Sequence, residues 1–190
     1  MEEAILVILT NKIFLMSLFA IVILIFIVLI SNRFTYLILK VEEADSDIDV
    51  SLIKRHEVLT KMVEVVKAYT KHEKENLIKL AEIKKGMSLA EKKEANKSMD
   101  EAKERINILV ENYPKLKAGE NYLTLQKAIV DAEDHLQASR RMYNSNVSLY
   151  NQYLFMFPYM IIGKLRGLKK KEYLNFNDEN TTKVEITTEK

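Results

Sequence analysis

The chain has no cysteine and only three histidines, four glycines and two prolines among its 190 residues. Without cysteine there is no disulfide, no thiolate chemistry and no Cys-based zinc or iron–sulfur site. The histidines do not restore metal chemistry. A di-iron bundle needs Glu-x-x-His pairs, yet three residues before His56, His72 and His135 stand Ile53, Tyr69 and Ala132. The zinc-protease pattern His-Glu-x-x-His fails as well, with Thr60 and Asn76 at the fifth place after His56 and His72. No nucleophile elbow and no phosphate-cradling glycine loop occur. The chain is therefore expected to be no enzyme and to need no cofactor or metal. Few helix breakers beside abundant Lys, Glu, Ala, Leu and Asn predict long helices and argue against sheets.

Charge of either sign is nearly balanced, 29 basic against 27 acidic residues. Leaving out Glu2, Glu3 and Lys12 gives 28 against 25, a surplus that makes no electrostatic case for nucleic acid as a partner.

What the chain does have is Ile13 to Ile30, IFLMSLFAIVILIFIVLI, eighteen residues without a charge, a Gly or a Pro. As a helix this covers roughly 27 Å at about 1.5 Å per residue, close to the hydrocarbon thickness of a bilayer. A cleaved secretory signal would want a basic start and a small-x-small exit. Here the start is Glu2 and Glu3 and the exit is Ser31-Asn32-Arg33 followed by more apolar residues, so an uncleaved, single-pass signal anchor is expected. Arg33, Lys40, Lys54 and Arg55 follow the run and Lys12 precedes it. Basic flanks stay on the cytoplasmic side, which predicts a cell-membrane protein with its N-terminus outside and its C-terminal domain cytoplasmic.

Beyond Val41 the pattern turns amphipathic. Ile48, Leu52, His56, Leu59, Val63, Val66, Thr70, Leu77 and Leu80 recur at helical spacing, predicting one helix from the span to Lys85, ended by Gly86, with a kink near Asp45 as the alternative. Ser88 and Glu91 form a capping box for a second helix, with a seam from Ala95 through Met99, Ala102, Ile106 and Leu109 to Tyr113, closed by Pro114. Lys115 to Gly119 is expected as a loop and Asn121 as the cap of a third helix. That helix has the cleanest coiled-coil-like seam: Tyr122, Leu125, Ile129, Ala132, Leu136, Ser139, Tyr143, Val147, Tyr150, Leu154 and Phe157, spaced by three and four. It implies about 36 residues, too long to be stable without a partner seam. Pro158 stops it, and Gly163 and Gly167 mark a turn.

The expected fold is all-α: an N-terminal transmembrane helix, residues 1–31, then an elongated antiparallel three-to-four-helix bundle over 32–168, then a basic and polar tail, 169–190, expected to be disordered. Two constellations stand above background. Arg140, Arg141, Asn144, Tyr150 and Asn151 form a candidate interaction face, because several Asn residues inside a helix suggest hydrogen bonds between helices or a recognition surface. The plainer reading is surface polarity beside a tyrosine-lined core. The segment from Tyr153 to Lys171 joins aromatic and apolar residues to five cations; Phe155, Phe157, Lys164, Arg166, Lys169, Lys170 and Lys171 are candidate membrane-surface contacts. Against that second reading, the end of an outward-running third helix is expected far from the bilayer.

Several blocks resemble, in order and spacing, the bacterial LemA family. They are Asp47-Ile48-Asp49-Val50-x-Leu52, Val63-Glu64-x-Val66-Lys67-x-Tyr69 with His72-Glu73-Lys74-Glu75, and Tyr113-Pro114-x-Leu116-Lys117-Ala118 with Glu120-Asn121-Tyr122 and Leu125-Gln126. Glu133, Arg140-Arg141-x-Tyr143-Asn144, Tyr150-Asn151 and Phe157-Pro158 complete the set. The likeness runs from about Glu43 to Gly167. The chain departs from the family where it has Leu59-Thr60-Lys61 in place of a proline-containing stretch, so a smoother first helix is expected. The resemblance implies one N-terminal span, a helical bundle, the same topology and no defined reaction. The expected role is a membrane-anchored scaffold or adaptor that presents helix surfaces to protein partners, with lipids held through the anchor and homo-oligomers allowed. The alternative is lipid binding or membrane remodelling through residues 153–171.

Overall fold

A computed structural model describes residues 2–69 and 80–176, with side chains from residue 11 onward. All regular structure among the described residues is helical: α1 (Glu2–Tyr69), α2 (Leu89–Glu111), α3 (Pro114–Lys117), α4 (Glu120–Phe155) and α5 (Tyr159–Leu165). The long apolar N-terminal helix followed by further helices is the class the sequence predicts. The chain divides into two compact units, one of residues 1–41 with 146–171, the other of residues 42–145 with 172–190.

In the first unit, the side chains from Ile13 to Leu29 stand exposed and Ile30 is the first that is buried. A helix that is apolar all round and uncovered by protein is suited to lipid, and this one is long and apolar enough to cross a membrane. From Ile30 a seam appears, Ile30, Phe34, Leu37 and Val41, packed with Val147, Tyr150, Leu154 and Ile162 in a small core. The hydrogen bond from Asn146 to the carbonyl of Lys40 and that from Arg33 to the Tyr153 hydroxyl set α4 antiparallel to α1 here.

In the second unit, α4 again runs antiparallel to α1. Ser51 meets Ser139 at 2.9 Å, and Lys54 and Arg55 meet Asp131 and Glu133 at 2.7 and 2.8 Å. α2, however, is parallel to α1, since Lys92 pairs with Asp45 and Asp49 while Arg55 bonds Asn96 and Asp100. This corrects the expected turn-back at Gly86. Residues 80–88 are not helical, so α1 does not continue to Lys85; Thr70 and Leu77 lie outside the described residues. Segment 80–88 instead leads back to α1, where the Gly86 amide, at φ 77°, donates to Asp49 Oδ2 at 2.8 Å. Glycine tolerates that left-handed backbone at little cost. The antiparallel partner of both helices is α4.

Local signals explain the remaining ends. Ser88 and Glu91 make the reciprocal capping box. Pro114 opens the one-turn α3, where its missing N–H costs nothing, so the expected loop from Lys115 holds a turn of helix that buries Leu116. The carbonyl of Gly119, not Asn121, accepts the first α4 bond, from Leu123. α4 crosses its full 36 residues with Tyr122, Ile129, Ala132, Leu136, Tyr143, Val147, Tyr150 and Leu154 buried. Phe157, expected as the last seam residue, is 77% exposed because α4 ends at Phe155 and the turn before Pro158 swings it out. No break interrupts α1 at Asp45 to Asp49; Asp45 and Asp49 serve as partners of Lys92, and Asp49 also of Gly86.

Candidate functional site

The centre of the first unit is Phe34. Its ring meets Tyr150 and Tyr159 edge-on at 6.3 and 6.2 Å, and Tyr159 meets Tyr153 at 4.7 Å. Gly163 lets α5 approach this cluster. A β-carbon there would stand 2.9 Å from Leu154 Cδ1 and 3.4 Å from Phe34 Cζ. Gly167, at φ 65°, ends α5 in a Schellman motif, with Leu168 N bonded to Gly163 O and Gly167 N to Lys164 O. Just before it, Arg166 donates to the carbonyl and hydroxyl of Ser31 at 2.8 and 3.2 Å and to Thr35 at 3.4 Å. Arg33 lies over the rings of Tyr36 and Tyr153, its guanidinium carbon 5.3 and 5.0 Å from their centroids. Such cation–π contacts hold a cation without needing a carboxylate.

This geometry overturns the expectation that the end of the third long helix lies far from the span. The antiparallel run of α4 in this unit brings Tyr153, the turn 156–158 and α5 back to residues 31–35, where the apolar run stops. Of the candidate surface contacts, Phe155 and Phe157 are 66% and 77% exposed, and Lys164, Arg166, Lys169 and Lys170 are exposed as well. Lys171 turns its ammonium over Tyr150, 5.8 Å from the ring centroid.

The candidate interaction face is occupied by the chain itself. In the first unit Asn151 donates to the carbonyl of Lys171 and accepts from its N–H, at 2.9 and 3.0 Å, while Tyr150 donates to the carbonyl of Lys169. In the second, Asn144 makes the same two-way bond with Leu174, at 3.0 and 2.8 Å, and Tyr143 donates to the carbonyl of Glu172. A Tyr–Asn pair that holds backbone of the segment after α5 thus occurs once in each unit. The tail expected to be disordered from residue 169 is held in this way to Leu174, which is fully buried; 177–190 lie outside the described residues. Arg140 lies over Phe176 at 5.4 Å, and Arg141 is exposed. Burial, with the charges of Asp45 and Glu172, pushes the Tyr143 hydroxyl up to about 12. Burial also raises Tyr150, against an opposing pull from Arg166.

Two buried cations were not singled out by sequence reasoning. Lys92, wholly buried, reaches Asp45 and Asp49 at 2.6 and 2.9 Å. Arg55 bonds Asn96, Asp100 and Glu133, and Lys103 closes on Glu133 at 2.7 Å. Burial pushes the Glu133 carboxyl up, but the bonds from Lys103 and Arg55 outweigh it and hold the group below its ordinary range. The available signal was register: Arg55 follows Leu52 by three and precedes Leu59 by four, and Lys92 precedes Ala95 by three. Near these residues an open groove of about 730 Å³ is lined by Met62, Leu123, Ile129 and Val130 together with Lys103 and Asp134. Among the described residues no three His, Asp or Glu side chains are grouped to share a metal ion.

An apolar membrane-length helix, antiparallel long helices and a packed juxtamembrane cluster define a membrane-associated all-α protein. Residues 44–187 match the LemA family, and the chain belongs to it. It is similar to Protein LemA of Metamycoplasma hominis, 28% identical over 123 residues, 62% of this chain and 56% of that protein. It is also similar to Magnetosome protein MamQ of Magnetospirillum gryphiswaldense, 25% identical over 80 residues, and to MamQ 2 of Paramagnetospirillum magneticum, 26% identical over 80; each match covers 42% of this chain and 29% of the relative. The chain thus spans between 29% and 56% of the length of these curated relatives.

Proposed function

We propose that the protein is a cell-membrane-anchored organiser whose span-bearing unit seats on an anionic leaflet surface, without catalysing a reaction. One observation carries this reading. In residues 31–41 and 146–171 there are seven Lys or Arg and no Asp or Glu, whereas the other unit holds 25 acidic against 21 basic residues. A nearly neutral chain has therefore sorted its charge, placing the acid-free part beside the membrane-length helix. Each cation near an anionic leaflet contributes about 1 kcal/mol, within a Debye length of the surface. The same cations support an outside N-terminus and a cytoplasmic C-terminal unit. The relatives' names state no substrate or reaction, so the reading rests on geometry and charge.

The test is chemical acylation of lysines in the full chain reconstituted into vesicles. Lys164, Lys169 and Lys170 should react more slowly in anionic than in zwitterionic vesicles at low salt, and the difference should fade at high salt. Equal rates would end the proposal.

A second reading, the scaffold or adaptor, is favoured by the apolar groove of the other unit. Leu123 and Val130, 45% and 55% exposed, line it together with Lys103, Lys127 and Asp134, and exposed apolar surface beside charge suits a protein partner. Photocrosslinkers at Leu123 and Val130 in intact cells should capture a discrete protein neighbour; recovery of none counts against this reading.

A further inference from the structure

The turn joining α4 to α5 carries side chains that neither the core nor the cation cluster uses. Phe155, Met156, Phe157, Ile161 and Leu165 are 66%, 51%, 77%, 48% and 77% exposed, and no charged residue occurs from Val147 to Gly163. Five large apolar side chains uncovered over eleven residues exceed the scattered exposure of an ordinary surface. Their height along α1 follows from register. Asn146 bonds Lys40 and Tyr153 bonds Arg33, so each step forward on α4 is one step back on α1. Continued to the last residue of α4, that register sets Phe155 level with Ser31, and the turn 156–158 follows it at the end of the apolar run. Ile30 is already covered by protein while Leu29 is exposed, so this unit reaches the edge of the span. Arg166, bonded to Ser31 and Thr35, holds the far end of α5 at the level where the run stops.

We infer that the α4–α5 turn is a second membrane-inserting element, a wedge that buries Phe155, Met156 and Phe157 in the headgroup–acyl boundary of the leaflet beside the span. The occupant of this apolar face is lipid. The face is continuous with the lipid-facing helix, it carries no charge, and it is bordered by Lys164 and Arg166 at headgroup height. Interfacial elements of this composition sit with the apolar side about 5–10 Å into that boundary. Inserted in one leaflet only, the wedge makes the chain monotopic as well as spanning. The inference rests on the membrane-surface reading proposed above, which does not by itself require apolar insertion.

Because the chain has no cysteine, single reporters are simple to place. Full-length Phe157→Cys and Phe155→Cys, each carrying an environment-sensitive fluorophore, would be reconstituted in vesicles of phosphatidylcholine and phosphatidylglycerol. Leu24→Cys in the span and Ala138→Cys on exposed α4 serve as lipid and water references. Both sites are exposed, so the substitutions open no core. The wedge predicts blue-shifted emission at 157 or 155, quenching by lipids spin-labelled high on the acyl chain, and persistence at high salt. Water-like emission at both positions overturns it; if lysine protection by anionic lipid persists, the membrane-surface proposal stands without the wedge. Blue-shifted emission that spin-labelled lipids do not quench also overturns it, since protein then covers the turn.

Discussion

Arg166 donates from Nη1 to the backbone oxygen of Ser31 at 2.8 Å, across 135 residues of sequence, and so fastens α5 to the turn of α1 where the apolar run ends. Because the guanidinium is exposed, Arg166→Ala should change global stability by no more than about 1 kcal/mol. Its effect should be local. Amide exchange in residues 159–168 should quicken while the middle of α4 stays protected, and Arg166→Lys, lacking the planar fork, should fall between. Unaltered exchange in α5 would mean that the bond does not hold it.

Asn151 and Asn144 each use both halves of the amide on one backbone residue. Asn→Asp keeps the acceptor, removes the donor and sets an anion against a carbonyl oxygen. Each substitution should cost about 1–3 kcal/mol, and trypsin should cut faster after Lys169, Lys170 and Lys171. Cleavage at the wild-type rate would show that the segment is held by other contacts.

Lys92 has no exposed side-chain surface, and it is shared as an ion-pair partner by Asp45 and Asp49. Removing one partner of a buried pair typically costs about 3–5 kcal/mol, whereas removing both sides together often costs little. Lys92→Met should therefore lower the urea midpoint of the detergent-solubilised chain sharply, and adding Asp49→Leu should recover part of the loss. An additive double variant would contradict the pairing.

Phe34 is fully buried between Tyr150 and Tyr159. Phe34→Ala should cost about 3–5 kcal/mol through lost burial and a residual cavity, with exchange rising in α5. A loss under about 1 kcal/mol would show that the cluster contributes little to stability.

Two groups give pH limbs of opposite sign. Glu133 is held below its ordinary range, so its contribution is present above about pH 4.5, the unfolded carboxyl range, and is lost as pH falls through the lower folded value. Tyr143 is pushed up to about 12, so its contribution is intact below about pH 10, where the unfolded phenol titrates, and is lost as pH rises towards the folded value. Glu133→Gln should flatten the acid limb of stability against pH, and Tyr143→Phe the alkaline one. Unchanged limbs would assign the dependence to other groups.

Much of the helix content was legible because it rests on local rules: eighteen apolar residues, a Ser-x-x-Glu box and a seam repeating every three or four residues. The same rules misplaced the first helix end, because periodicity past Tyr69 looks the same whether or not the helix goes on, and residues 80–88 follow Asp49 instead. In the candidate sites, the residue types Tyr, Asn and Arg stand out from the sequence. Their partners were not legible, since backbone atoms of residues 169–174 leave no mark in composition.

By itself, then, the sequence determined that a membrane-length helix precedes the others, that every regular element after it among the described residues is helical, and that α4 is one helix of some ten turns, because spacing and propensity act between residues a few places apart. Only the tertiary structure decided that α2 runs parallel to α1, that Tyr–Asn pairs hold the extended segment, and that an acid-free cluster with an apolar turn returns to the foot of the span. The bonds responsible for the last join residues 106, 120 and 135 positions apart, those that set α2 join residues 41 to 47 apart, and those of the Tyr–Asn pairs 19 to 30 apart. Such contacts form when whole helices choose their direction to bury their seams, a choice that no local window of residues contains.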